Sequence, residues 1–273
     1  MLLTRFLIPM ILMSMSCKAR PPADNASEIL GNDPLPGVLA IKLHPDVVEP
    51  SGLVVDGDAL YTVSDRNHGL IFQLSKNGEL EQTIDPGSGD FEGIAKSDSE
   101  FFLVRESRNT IEVYNRDFKL QRRSDLEHIA DEHEIKGNAG FEGITYYKDA
   151  IYVTTEAKPQ LMIKVTGNGS EPTWKLKGLG LDDISDVTYD SYLDCFWFLS
   201  HESAAIVRVN ASQLAETRNL KPDYKATIKK LTGKKPEQAE GIAADEKYLY
   251  IVSDSDRRFF RIPKPTGPAP EAE

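Results

Sequence analysis

Five times along the chain an acidic or hydroxyl residue opens a short apolar stretch, in four cases with glycine next: Ser51-Gly52-Leu53, Glu92-Gly93-Ile94, Glu142-Gly143-Ile144, Ser185-Asp186-Val187 and Glu240-Gly241-Ile242. A second acid follows each start, 14 residues on in four units and 17 on in the fourth: Asp65, Glu106, Glu156, Glu202 and Asp254. Eight of these ten positions are carboxylates. If a fold gathers them, they repel: two unit charges ~4 Å apart cost about 1 kcal/mol in water and about 4 kcal/mol at an effective dielectric near 20. Such a group must protonate, pair with cations or bind a metal. An oxygen-only donor set without a His or Cys cluster points to calcium rather than zinc or copper. The plainer alternative is salt bridges with Arg66, Arg105, Lys158, His201 and Arg257, which stand beside the second set of acids, and hydrogen bonds to neighbouring backbone amides.

The elements that must position these acids follow from the same repeat. Each start leads into an apolar strand, a polar turn and a second apolar strand, at residues 59–63, 101–104, 151–154, 196–199 and 248–252. A third apolar or alternating run follows at 70–74, 110–114, 161–165, 205–209 and 259–262. Three or four strands per 40–55 residues is the signature of a β-propeller. The fold expected is all-β, a five-bladed β-propeller. The last unit lacks a fourth strand, and residues 38–43 form an unassigned one before the first unit. That N-terminal strand can complete the last blade and close the ring, which removes an exposed edge. The first strand of each blade lines the channel, and strands one and two form an antiparallel hairpin. Both sets of acids therefore face one channel mouth. The expected cation ligands are Glu92, Glu142, Glu240, Asp65, Glu106, Glu156, Glu202 and Asp254. The three extra residues of unit four are assigned to the turn at 189–194, where insertion is cheap. Residues 182–186, with three aspartates, are either further oxygen donors or a solvated loop.

The 273 residues carry 43 Asp and Glu against 32 Lys and Arg, a net charge of −11. That balance argues against nucleic acid as a partner. Two cysteines, Cys17 and Cys195, exclude a disulfide scaffold and a Cys-based zinc cluster. The chain begins with one charge, Arg5, and an apolar run at 6–13 that is too short to span a bilayer. This reads as an export signal, and Ser14-Met15-Ser16-Cys17 resembles a lipoprotein box. The organisation expected is a signal or lipoprotein segment at 1–17, a flexible tether at 18–36, the propeller at 37–263 and a disordered tail at 264–273. Cys17 is the expected lipid anchor, which would hold the protein at the membrane facing the periplasm or the surface. Ordinary export to the periplasm and an uncleaved anchor are the alternatives. A monomer is expected.

Other chemistry is weaker. His128 and His133 are five apart, which suits no standard zinc motif, and a solvated acidic loop is the simpler account. His201, Glu202 and Ser203 have the residue types of a nucleophile and base but no triad is implied by adjacency. Cys195 is expected to be a buried thiol, and Phe196-Trp197-Phe198 core packing between blades. Lys229, Lys230, Lys234 and Lys235 form a small basic patch on a loop.

The ordered blocks Pro50-Ser-Gly-Leu, Phe91-Glu-Gly-Ile-Ala, Gly140-Phe-Glu-Gly-Ile, Asp183-Ile-Ser-Asp-Val and Gln238-Ala-Glu-Gly-Ile-Ala, with Tyr250-Ile-Val-Ser-Asp at the end, resemble the SdiA-regulated (YjiK-like) family over about residues 45–262. The resemblance implies a five-bladed propeller related to NHL-type propellers, a calcium site and an exported bacterial protein without an assigned reaction. Asp186 stands where the family pattern has glycine. A weaker likeness is to phytase-like esterases. The function expected is a calcium-binding recognition or scaffold module at the cell envelope, for a ligand or protein partner that the sequence does not identify. The alternative is a calcium-dependent hydrolase (a phosphoesterase, phytase-like esterase or lactonase), and a purely structural propeller is a third. Whether the protein is an enzyme stays open.

Overall fold

A computed structural model describes residues 34–65, 69–87, 89–135, 140–166, 172–265 and 267. All lie in the compact unit Asn32–Glu273. The expected signal segment with Cys17, most of the tether, Arg66 and most of the expected tail lie outside the described residues.

The strands form five four-stranded antiparallel sheets. Blade one contains β2 (Pro50–Asp56), β3 (Ala59–Ser64), β4 (Ile71–Ser75) and β5 (Leu80–Ile84). Blade two contains β6 (Phe91–Lys96), β7 (Glu100–Arg105), β8 (Thr110–Asn115) and β9 (Leu120–Asp125). Blade three contains β10 (Phe141–Tyr147), β11 (Ala150–Thr155), β12 (Leu161–Val165) and β13 (Thr173–Lys175). Blade four contains β14 (Asp186–Asp190), β15 (Cys195–Ser200), β16 (Ala205–Asn210) and β17 (Tyr224–Thr227). Blade five contains β18 (Ala239–Ala244), β19 (Tyr248–Ser253) and β20 (Arg258–Pro263), and its outer strand is β1 (Leu39–Lys42). β1 pairs antiparallel with β20, Ala40 opposite Phe260, so the first strand of the chain closes the ring as the sequence predicts. The inner strands β2, β6, β10, β14 and β18 each contact the next and complete a circle.

Burial falls from axis to rim, and the sequence follows it. The second strands sit between neighbouring blades; all six residues of β15 are buried. Phe196 and Phe198 pack in one inter-blade core and Trp197 in the next, because successive side chains on a strand point to opposite faces. Outer strands are the least buried, β9 most of all: it reads LQRRSD and is exposed at all but one position. One correction concerns the segment with His128 and His133, expected as a loop. It forms a short helix, Glu127–Glu132, seated by the buried Ile129 and Ala130, and His133 Nε2 lies 3.4 Å from Thr173 Oγ1.

At the axis, backbone meets backbone. A Cβ added to Gly52 would stand 2.6 Å from the Gly93 Cα, and one on Gly93 2.5 Å from the Glu142 carbonyl. One on Gly241 would stand 2.8 Å from the Gly52 carbonyl carbon, and one on Gly143 2.8 Å from the Val187 amide. Gly52 also has φ +46°, which side chains rarely adopt. Four blades thus need glycine so that neighbours can close on each other. Blade four instead places Asp186 there. Its carboxylate accepts the Ile242 amide of blade five at 2.8 Å and the Leu53 amide of blade one at 3.3 Å, through one oxygen. The other oxygen takes its neighbour Val187 at 2.8 Å. The side chain is 1% exposed. Burial pushes its pKa up, and the three amides pull it part of the way back.

Asp186 is therefore a pin joining three blades. Asp186→Ala should leave two amides of other blades without an acceptor in a dry axis. The expected loss is about 3 kcal/mol, lowering Tm by about 6–12 °C in calorimetry. Asp186→Asn, which retains one carbonyl oxygen, should fall between. An alanine variant that melts with the wild type would show that the pin does not matter.

Candidate functional site

The hairpin geometry brings both sets of acids to one mouth, as the topology predicts. In three blades the second acid is tied to the chain just before the first. Asp65 donates its amide to the Glu49 carbonyl (3.1 Å), Glu156 to Gly140 (3.2 Å) and Asp254 to Gln238 (2.8 Å). In blades three and five the tie sets the two carboxylates of the blade, Glu142 with Glu156 and Glu240 with Asp254, side by side.

The result is a cavity of about 330 Å³ at the axis, lined by Glu92, Glu142, Glu240, Asp65, Glu106, Glu156 and Asp254. Seven of the eight predicted acids are there. Glu202 is not: it is exposed, and its amide is held by Asp183 at 3.1 Å. The residue directly after β15 is His201, as Glu156 directly follows β11, and His201 takes the place in the cavity wall. Measured to His201, unit four is two residues longer than the others rather than three. Those two lie in the β14–β15 turn, which has four residues against two between β10 and β11.

Ser51 and Ser185, the two hydroxyl members, turn to the scaffold. Ser51 Oγ donates to the Glu92 carbonyl at 2.6 Å and Ser185 Oγ to the Ala239 carbonyl at 2.8 Å, each bridging to the next blade. Asp183, within the segment left open as donor or loop, is a buried acceptor for the Ser200 hydroxyl and for the His201 and Glu202 amides. Glu49 also lines the cavity and has φ 45°; nothing in the repeat marks it.

Electrostatics in the cavity are strained by like charge. Burial first, and then the charges of Glu106, Glu156, Glu240 and Asp65, hold the Glu142 pKa well above the carboxylate range. Glu92 is raised by burial, then by Glu142, then by a carboxyl–carboxyl hydrogen bond with Asp65. Burial, with Asp183, Asp254 and Glu156 adding, pushes Glu240 to about 8. Glu156 reaches about 6 through burial and the charges of Asp183, Glu106 and Glu202. Burial also raises Glu106, against the pull of the Gly140 backbone amide.

The expected basic partners mostly point elsewhere. Arg105 binds Asp90 at 3.3 Å and Glu112 at 3.0 Å, and the Arg257 guanidinium donates to the Pro45 carbonyl at 3.3 Å. His201 Nδ1 approaches Glu240 Oε1 at 3.6 Å. Among the described residues, no ion pair joins a Lys or Arg to Asp65, Glu92, Glu106, Glu142, Glu156 or Glu240. Among the same residues, no three His, Cys, Asp or Glu side chains are already drawn together as a metal's ligand set. The donor chemistry suits a hard cation, but the chelating arrangement is not preformed.

The sequence model of the SdiA-regulated family matches residues 51–263. The chain belongs to the SdiA-regulated family. No curated protein sequence matches it. Among solved structures, this SdiA-regulated protein is similar to glutaminyl cyclase of Myxococcus xanthus, at 12% identity and a TM-score of 0.57, covering 82% of this chain and 95% of that one. A luciferin-regenerating enzyme matches at 11% identity and a TM-score of 0.53, covering 86% and 81%. A Bacteroides thetaiotaomicron protein of unknown function matches at 14% identity and a TM-score of 0.53, covering 80% and 60%. At these identities the likeness is one of propeller fold, and fold does not fix function.

The raised carboxyls set a pH dependence for the metal-free protein. An unfolded Glu titrates near about 4.3, whereas Glu240 in the folded mouth titrates near 8. Between those values the unfolded chain binds fewer protons, so stability falls as pH rises. With chelator present, Tm should be higher at pH 5 than at pH 8, and Glu240→Gln should flatten the slope. A Tm that rises across this window would contradict the assignment.

Proposed function

We propose that the acidic mouth binds a divalent cation, calcium by its donor chemistry, and that the loaded mouth is the recognition surface of an envelope module. The observation that carries this is the convergence of Glu92, Glu142, Glu240, Asp65, Glu106, Glu156 and Asp254 on one cavity. Hard oxygen donors and a flexible coordination number favour calcium over the smaller, stricter magnesium. A bound divalent ion would neutralise the mutual repulsion and leave coordination positions open to a ligand. Glu142 and Glu240 are the first candidates to hold it, because their carboxyls meet the charges of several neighbouring blades.

Calorimetric titration of the propeller with calcium, and separately with magnesium, is the test. Calcium should bind in the micromolar to millimolar range typical of extracellular and sensor sites, about 10⁻⁶–10⁻³ M. Glu142→Gln combined with Glu240→Gln should weaken it at least about tenfold, which is ~1.4 kcal/mol. No calcium binding at millimolar concentration would end this proposal.

Placement at the envelope rests on the N-terminal sequence, where one charge, an apolar run at 6–13 and Ser16-Cys17 form an export and lipidation pattern. No helix among the described residues is long and apolar enough to cross a membrane. Labelling of expressing cells with a radioactive fatty acid should mark the wild-type protein and not Cys17→Ser. Equal labelling of both, or of neither, would remove the lipid anchor from the proposal.

A further inference from the structure

The other mouth of the channel has different chemistry. The far ends of the inner strands open into a funnel of about 640 Å³, within the range of about 300–1,000 Å³ typical of small-ligand sites. Tyr146 of β10, Tyr189 of β14 and Tyr192 of the β14–β15 turn stand along its blade-three and blade-four side. Tyr192 is 64% exposed, and among the described residues it is the one exposed large aromatic. Such a ring at a cavity rim is the type of residue that dominates binding surfaces.

Tyr192 is held there by buried chemistry. The carboxylate of Asp190, at the end of β14, accepts the Tyr192 amide at 3.0 Å and the Leu193 amide at 3.3 Å through one oxygen. Its other oxygen takes the Trp197 indole at 3.2 Å and pairs with Lys264 Nζ at 2.6 Å. Both partners of that ion pair are essentially excluded from solvent, at 0% and 2% side-chain exposure. Buried pairs add little net stability, and their best-attested use is to fix one arrangement. Lys264 Nζ also lies 5.3 Å from the centroid of the Tyr192 ring. The turn that carries Tyr192 is the one lengthened by two residues relative to blade three, so the break in the repeat is what delivers the ring to the funnel.

The remaining wall disfavours an anion, since Asp98, Glu100 and Asp149 also line it, and it offers partners to a hydroxyl-rich ligand. Its cations are already neutralised, Lys76 by Asp245 at 2.9 Å and Lys96 by Asp56 at 3.1 Å. Tyr146 stacks on Phe102 at 5.5 Å with its hydroxyl donating to Asp149, and the Tyr189 hydroxyl donates to Asp194. Serine hydroxyls at 97, 99 and 191 add donors and acceptors between the charges. Aromatic faces take the C–H face of a sugar ring, while hydroxyls and carboxylates take its equatorial hydroxyls. We propose that this funnel binds a short neutral oligosaccharide, with Tyr192 and Tyr146 as its platforms, at a site separate from the acidic mouth.

Saturation-transfer NMR on the propeller, with chitotetraose, cellotetraose, maltotetraose and mannotetraose at millimolar concentration, tests this. At least one should bind, and Tyr192→Ala and Tyr146→Ala should each weaken it about tenfold or more. Tyr192→Ala removes a mostly exposed ring and its contact with Lys264, and should lower the melting temperature by no more than about 4 °C. Glu142→Gln with Glu240→Gln, or chelator, should leave sugar binding intact, so failure here and failure of the cation site are distinguishable. Binding of none of the four, binding indifferent to both tyrosines, or binding only by a short peptide run as a control would overturn the proposal.

Discussion

The close approach of five inner strands at one axis is the constraint on which the rest of the structure depends. Gly52, Gly93, Gly143 and Gly241 leave no room for a side chain between neighbouring blades. With the inner strands packed that tightly, whatever stands at their ends is brought together too. At one end that means carboxylates from four blades around about 330 Å³. At the other it means a wider funnel of about 640 Å³, with hairpin turns of unequal length at its rim. The two mouths are consequences of one packing decision, with different residues placed at its two ends.

The acidic mouth is electrostatically unfavourable by itself. Carboxyls that lean on each other's protons, as Glu92 does on Asp65, are held there by a frame whose stability comes from elsewhere. The frame is the set of inter-blade cores, the bridging serines and the closure of β1 on β20. Arg105 could have neutralised the ring from its neighbouring position, yet it is paired with Asp90 and Glu112. Keeping negative charge together in this way costs fold stability, and Arg105 does not relieve it.

What the sequence revealed, and what it hid, divides along physical lines. The blade count, the closing strand and seven of the eight cavity acids were legible, because the pleat and the hairpin convert spacing directly into place. The fourth strands were less so: β5 and β9 are mostly exposed and carry no apolar pattern, and β13 and β17 are only three and four residues long, with Trp174, Tyr224 and Ala226 as their buried positions. Glu202 matches by acid type, but strand position decides, and it puts His201, directly after β15, in the cavity wall. Ser51 and Ser185 satisfy the spacing, but their hydroxyls bond to backbone, and spacing says nothing about where a short side chain turns. Glu49 sits outside the repeat in a left-handed backbone conformation that only the folded chain displays.

Blade four concentrates the departures from symmetry, and they have a common logic. Four identical solutions at the axis would leave the fifth position free to be another glycine. Asp186 instead reaches across and bonds blades one and five, so the least regular blade holds the ring in register. Its hairpin lengthens at one end, and Asp190 with Lys264 fixes that longer turn. At the other end it presents an imidazole beside Glu240 where the other blades present carboxylates. A propeller of equal blades offers a ligand five equivalent orientations. The departures of blade four, at the axis and at both mouths, together with Ser51 of blade one at the acidic mouth, make the sides of each mouth distinguishable.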